Sequence, residues 1–264
     1  MAPHTDLSTC REPAVKHRPL NIAHRGASGH APENTMAAFR LAIEQGADRI
    51  EFDIHQTSDG RLVVLHDFSL KRTGGDPRRA VNMTLEEIKK LDVGAWAGPG
   101  FRGQRVPTLE EVLDFAAGRT SVQIEIKRGS PFYSGIEPRL LSILGPYREK
   151  VEISVSSFDH KALAELRRLD SGITIGLLTD KTLPRQILKD AAAVRARSIH
   201  IAARRLSRAL IRQAHAAGLS VCVYTVNRPW RMRRFLDLGA DGLFTNHPDR
   251  LTAVLAEREF PSKP

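Results

Sequence analysis

Cysteine is nearly absent from the 264-residue chain, which holds Cys10 and Cys222 alone. One lies in a polar N-terminal stretch and the other in an apolar run, so a disulfide framework is not expected. Such sparse cysteine suits a reducing compartment, and a cytoplasmic location is the expectation. Long apolar runs are missing too. None approaches the ~20 residues that a membrane span needs, so stable membrane insertion is not expected. The opening MAPHTDLSTCREPAVKHRPL lacks the apolar core of a secretion signal, and residues 1–18 read as a flexible tail. The chain contains no Walker A loop, GxSxG elbow, HExxH or CxxC, and no visible repeat or low-complexity segment. A basic block is missing as well, although the net charge is +10. The arginines are spread along helical stretches such as RRLSRALIRQ and RPWRMRRF without aromatic interleaving. That pattern argues for a solvated basic surface with a general pull on anions, and against nucleic acid as a partner.

What is present is an alternation. Short β-like runs, LNIAH (20–24), RIEFDI (49–54), SVQIEI (121–126), VEISVS (151–156), ITIGLL (173–178), SIHIA (198–202), LSVCVYT (219–225) and DGLFT (241–245), are separated by helical patterns. Eight βα units predict a closed (β/α)₈ barrel of the TIM type; a doubly wound open sheet is the alternative. A single domain is expected over 19–258. One segment breaks the rhythm. Ser58-Asp59-Gly60 reads as a hairpin turn and LVVLH as a returning strand. Residues from about 68 to 107, rich in Gly, Arg and Pro with one short helix near LEEIKKL, form an insertion after the second strand. In a barrel this is the face where active sites are built.

The polar residues fall at strand ends. His24 and Arg25 close the first strand. Glu51 and Asp53 share one face of the second, being two apart. His66 ends the returning strand, and Glu125 and Lys127 share a face at the end of SVQIEI. A bare carboxylate in an apolar interior costs several kcal/mol, and two on one face repel. Three carboxylates from neighbouring strands make an oxygen cage for one divalent cation, Mg²⁺ or Ca²⁺, which makes their burial bearable. Arg25 offers a planar fork and Lys127 a point charge for phosphate, and two histidines at one mouth can serve as general base and acid. Singly, each feature has a plainer reading: a satisfied polar residue, a surface strand, a salt bridge between Glu125 and Lys127. The combination favours chemistry. His55 is expected on the other face of its strand, and His30, His160, His200, His215 and His247 as structural or loop residues. Cys222 is expected as a small buried hydrophobe.

The stretches HRGASGHAPENTMAAF, EFDIHQTSDGRLVVLHD, RTGG, LDVGAWAGPGFRGQRVPTLEEVL, IEIK, SSFD, YTVN and DGLFTNHPD together resemble the glycerophosphodiester phosphodiesterase family, in order, from about residue 20 to 250. The resemblance implies a TIM barrel with a small insertion after the second strand. It implies metal-dependent hydrolysis of glycerophosphodiesters to glycerol 3-phosphate and an alcohol. It maps metal ligands onto Glu51, Asp53 and Glu125, acid and base onto His24 and His66, and phosphate contacts onto Arg25 and Lys127. It also implies that the glycerol 2-hydroxyl attacks first, giving a cyclic phosphate that water then opens. The chain departs from the family pattern at Tyr224, where Trp is common, in RTGGDPRRAVN, and at Phe68 and Lys71. Two other readings are a lysophospholipase D, with Val93, Trp96 and Phe101 either lining an acyl groove or packing the insertion down, and a non-catalytic phosphodiester-binding barrel. Retention of both histidines and all three carboxylates argues against the last.

Overall fold

The computed structural model describes residues 18–259 except residue 131. The expected tail, apart from Arg18, lies outside the described residues. The strands are β1 (Leu20–His24), β2 (Arg49–Gln56), β3 (Leu62–Val64), β4 (Ser121–Ile126), β5 (Ile153–Ser157), β6 (Thr174–Thr179), β7 (Ser198–Ala202), β8 (Ser220–Tyr224) and β9 (Gly242–Thr245). Their order is β1-β9-β8-β7-β6-β5-β4-β2-β3, and β1 also pairs with β2. All neighbours run parallel except β3, which returns antiparallel along β2 with Ile54 opposite Val64. The extra β1–β2 pairing, His24 opposite Glu51, closes eight strands into a barrel and rules out the open sheet.

The helices are α1 (Met36–Glu44), α2 (Lys71–Gly74), α3 (Leu85–Lys89), α4 (Leu109–Ala116), α5 (Ile136–Leu144), α6 (His160–Leu169), α7 (Pro184–Ala193), α8 (Arg208–Ala216), α9 (Pro229–Asp237) and α10 (Pro248–Glu259). Local chemistry starts several of them. Thr84 and Thr108 form capping boxes with Glu87 and Glu111, so two orphan N–H groups are satisfied at each start. Asp159 accepts from Lys161 and Ala162 at the head of α6. Among the described residues no helix is long and apolar enough to cross a membrane.

Alternation along the strands makes two cores. Outward residues such as Ile50, Phe52, Ile54, Val122 and Ile124 join Phe39, Leu109, Val112 and Leu113 from the helices. Inside the barrel the small cluster of Ile22, Cys222 and Phe244 fills one side, so Cys222 is the buried hydrophobe expected of it. The opposite interior is polar, with Glu51, Asp53, Gln123, Glu125, Ser154 and Ser156 all buried, while the buried His200 packs against Phe244 of the apolar cluster. The insertion has its own core of Leu65, Leu70, Ala80, Met83, Ile88, Val93 and Val106 on Val63 of β3. Val93 therefore packs the insertion down, and the indole N–H of Trp96 donates to its carbonyl at 2.9 Å.

Candidate active site

The C-terminal ends of β1, β2 and β4 and the turn after β3 meet at one mouth. Parallel register does the placing: His24 lies beside Glu51, and Asp53 beside Glu125. Oxygens of Glu51, Asp53 and Glu125 lie within 4.8 Å of one another, and all three residues are buried. The chain turns sharply here. Gly26 has φ +77°, and a Cβ on it would meet the Ala38 carbonyl at 2.7 Å. Arg25 itself takes φ +59°, a left-handed conformation costing a non-glycine residue ~1–2 kcal/mol. The bend lets its backbone N–H donate to Glu51 Oε2 at 2.9 Å, which returns part of that cost.

Cations interleave with the carboxylates. Lys127 Nζ lies 2.7 Å from Glu125 Oε1 and 3.1 Å from Asp53 Oδ1. Arg25 Nε lies 3.4 Å from Asp53 Oδ2, and the Asn34 amide donates to the same oxygen at 2.9 Å. Among the described residues Asn34 Oδ1 is buried without a partner. The charges divide the three acids. Burial would raise Asp53, but Lys127, Arg25 and His66, with the Asn34 hydrogen bond, outweigh it and hold the carboxyl well below its usual range. Burial and the charges of Asp53 and Glu125 push Glu51 well up. Burial, then Asp53, push Glu125 up to about 7 against the pull of Lys127. Three hard oxygen side chains, with a spare amide oxygen beside them, fit a Mg²⁺- or Ca²⁺-sized cation.

Each histidine has one ring nitrogen fixed. His24 Nδ1 sits 2.8 Å from Asn246 Oδ1 and His66 Nδ1 2.7 Å from Asp67 Oδ1. Those oxygens accept, so Nδ1 carries the proton in both and Nε2 remains for substrate. Burial first, and Arg25 second, lower His24 to about 4. Burial also lowers His66, while Asp53 and Asp67 pull the other way. His66 is close enough for its charge to oppose that of His24.

Several site residues were not singled out from sequence. Glu33 accepts from Arg25 Nη1 at 3.0 Å and from Arg72 at 2.7 and 2.9 Å, and Arg72 Nε donates to Asp67 at 2.8 Å. One chain of charge thus runs from Arg25 through Glu33 and Arg72 to Asp67 and His66. His55 overturns the expectation that it faces away. Residues 51, 53 and 55 share a face by the period of two. The ring is buried, with Nε2 3.1 Å from the His66 carbonyl and Nδ1 2.5 Å from Tyr133 Oη. The carbonyl can only accept, so Nε2 carries the proton, and burial lowers the ring to about 4. A neutral His55 therefore holds the His66 backbone. Beside it Phe68 and Phe132 stack edge to face, 5.4 Å between centroids and partly exposed.

The sequence profile of the glycerophosphoryl diester phosphodiesterase family matches residues 24–250. A glycerophosphodiester phosphodiesterase of Caldanaerobacter subterraneus subsp. tengcongensis is 39% identical over 233 residues, covering 88% of this chain and 96% of that one. One from Bacillus subtilis is 36% identical over 251 residues, covering 88% and 85%. Among solved structures, an Oleispira antarctica phosphodiesterase in complex with the product sn-glycerol-3-phosphate superposes with a TM-score of 0.84 at 26% identity, covering 89% of this chain and 96% of that one. A glycerophosphodiester phosphodiesterase from Agrobacterium tumefaciens superposes with a TM-score of 0.78 at 29% identity, covering 88% and 98%.

Proposed function

The chain belongs to the glycerophosphoryl diester phosphodiesterase family and is a glycerophosphodiester phosphodiesterase, and from that premise we propose how its own residues carry the hydrolysis. Glu51, Asp53 and Glu125 would hold one divalent cation, Mg²⁺ or Ca²⁺, whose chemistry when bound is to offset negative charge on the phosphodiester. The observation carrying this reading is the set of three buried carboxylates within 4.8 Å at the barrel mouth, with both histidines beside them. Arg25 presents its guanidinium fork to the phosphate, braced from behind by Glu33. Lys127 adds a point charge from the side of Glu125.

His24 is neutral at pH 7 because it is buried beside Arg25, so its Nε2 can take a proton from the attacking hydroxyl. In the first step that hydroxyl is the glycerol 2-OH, and water attacks the cyclic phosphate in the second. His66 in its imidazolium form, with Asp67 holding Nδ1–H, would give its Nε2 proton to the leaving alkoxide. The products are glycerol 3-phosphate and an alcohol.

The test is a panel of glycerophosphodiesters, with release of glycerol 3-phosphate followed in Mg²⁺ and in Ca²⁺. His24→Ala and His66→Ala should each lose ~10²–10⁴-fold in rate, the usual worth of a positioned base or acid. On an analogue with a p-nitrophenol leaving group, which departs without a proton, His66→Ala should recover most of its rate and His24→Ala should not. Full activity of both variants on natural diesters would refute the mechanism. A second reading, activity on lysophospholipids, rests on the exposed edges of Phe68 and Phe132 beside His55. It requires that a lysophospholipid in the same panel be cleaved at a rate comparable to the deacylated diester.

A further inference from the structure

Outside the carboxylate cluster, a second group of metal-ligating side chains lies where the turn after β1 meets the turn after β9: His30, His247 and Asp249. His247 Nδ1 is 3.2 Å from His30 Nε2, and Asp249 Oδ1 is 3.3 Å from the same Nε2. Hydrogen bonding alone leaves this arrangement unfinished. His30 Nε2 either carries one proton or offers one lone pair, so whichever tautomer His247 takes it cannot hydrogen-bond fully to both His247 Nδ1 and Asp249 Oδ1, which lie at nearly equal distance. A bound metal removes the conflict. With metal–ligand bonds of ~2.0–2.1 Å, the edges of a tetrahedral site are roughly 3.3–3.4 Å, and both separations fall close to that. The third pair, His247 with Asp249, lies within 4.8 Å, and the half-buried Asp249 side chain would need only a small turn to close it.

The site is also built from behind. His247 backbone N–H donates to Thr245 Oγ1 at 3.0 Å. Gly29 lies so close beneath the His247 ring that a Cβ there would sit 2.3 Å from it, and Gly29 N–H is bonded to the Asn246 carbonyl at 2.8 Å. The two turns therefore hold the rings at a fixed separation. Two features oppose a cation: the N-terminus of α10, whose dipole is positive, and Arg250. Asp249 stands in the first turn of α10 to counter the former, and Arg250 Nη1 is occupied by the Asn227 carbonyl at 3.2 Å.

We propose that His30, His247 and Asp249 form a second metal site, for a borderline divalent ion such as Zn²⁺ or Co²⁺, with the remaining coordination positions open to water. Two imidazoles and one carboxylate suit such ions and not Mg²⁺ or Ca²⁺, so the two sites differ in kind. The bound ion clips the turn that follows His24 to the turn that carries Asn246, which is hydrogen-bonded to His24. The site does not depend on the mechanism proposed above.

The test is a calorimetric titration of Zn²⁺ into protein saturated with Mg²⁺, beside a Co²⁺ titration read by visible absorption. The proteins are wild type, His30→Ala, His247→Ala, the double alanine variant and Asp249→Asn. We expect one Zn²⁺ bound per chain in excess Mg²⁺, weakened at least tenfold in each single histidine variant and abolished in the double variant. Co²⁺ should give the intense bands of a four-coordinate ion in wild type and lose them in the double variant. Far-UV circular dichroism of every variant should match wild type, because His30 is partly exposed, His247 and Asp249 are half-buried, and none of the three belongs to the core. Unchanged Zn²⁺ binding by the double variant, or no Zn²⁺ binding by wild type in excess Mg²⁺, would overturn the proposal.

Discussion

Loading the carboxylate cluster with a divalent cation should release protons, and the amount can be worked from the site. Glu125 is pushed up to about 7, by burial first and by the charge of Asp53 second, so near pH 7 it is about half protonated before the cation arrives. A ligand carboxylate must give that proton up. Glu125 alone therefore releases about nine tenths of a proton at pH 6, half at pH 7 and one tenth at pH 8. Glu51, also held high by burial and by Asp53, adds to that, so release at pH 7 lies between about one half and one and a half protons per ion. Asp53 adds nothing, because Lys127 and Arg25 already keep it ionised. The same linkage sets affinity: from pH 8 to pH 6 Glu125 alone should weaken binding about tenfold, or ~1.4 kcal/mol. Calorimetric titration of Ca²⁺ into chelator-treated protein, in two buffers of unlike ionisation heat, measures the release directly. Glu125→Gln should lower it by the share assigned to Glu125. A Kd that is flat from pH 6 to 8, with no protons released at pH 6, would show that the cluster is already ionised and refute the reasoning.

Two further outcomes follow from the same geometry. Chelated protein should stay folded, because the barrel core does not involve the cluster, and Glu125→Gln should then be the more stable protein at high pH. The folded pKa of Glu125 lies above its unfolded value, so its contribution is full below ~4.3 and is lost as pH rises through about 7; the variant should lead by ~1–3 kcal/mol at pH 8 and by nothing near pH 4, in urea unfolding with chelator. A gap that fails to widen from pH 4 to 8 would contradict this. Arg25→Lys keeps the charge but loses the fork that serves Asp53 and Glu33 together, so turnover should fall at least tenfold, and near-wild-type rates would mean that Arg25 does not hold the phosphate.

The barrel and the carboxylate set were legible because both are local patterns. Each strand announced itself by a short apolar run, and the period of two placed Glu51 with Asp53. The same rule, applied one step further, places His55 on that face as well; the sequence expectation sent it to the other side, and the structure corrects this. The supporting residues were not legible in the same way. Asn246 reaches His24 from 222 positions away, and only barrel closure between β1 and β9 brings them together. Glu33 and Asp67 stood in the stretches that carry the family resemblance, but their joint hold on Arg72 depends on where the insertion folds back. For Val93 and Trp96 the sequence left two readings, an acyl groove or packing of the insertion, and the insertion's own core with the Trp96 hydrogen bond favours the second.

On the proposed reading Arg25 and Lys127 have two jobs that compete. Three buried carboxylates without counter-charge would take up protons or resist folding, and in the folded chain the two cations meet that need: Lys127 bridges Asp53 and Glu125, and Arg25 flanks Asp53. The phosphate of the proposed substrate would draw on the same two groups. On the proposed reading a divalent ion resolves the competition, since it brings two positive charges to the same oxygens and lowers the hold of the carboxylates on Arg25 and Lys127. The two cations are not equally free to respond. Arg25 is also tied to Glu33, which Arg72 pins in turn, so its fork stays aimed at the mouth. Among the described residues Lys127 hydrogen-bonds to the cluster alone, and its flexible stem can follow the charge. The order that suits these contacts is cation first and phosphate second, with Arg25 as the fixed arm of the phosphate site and Lys127 as the movable one.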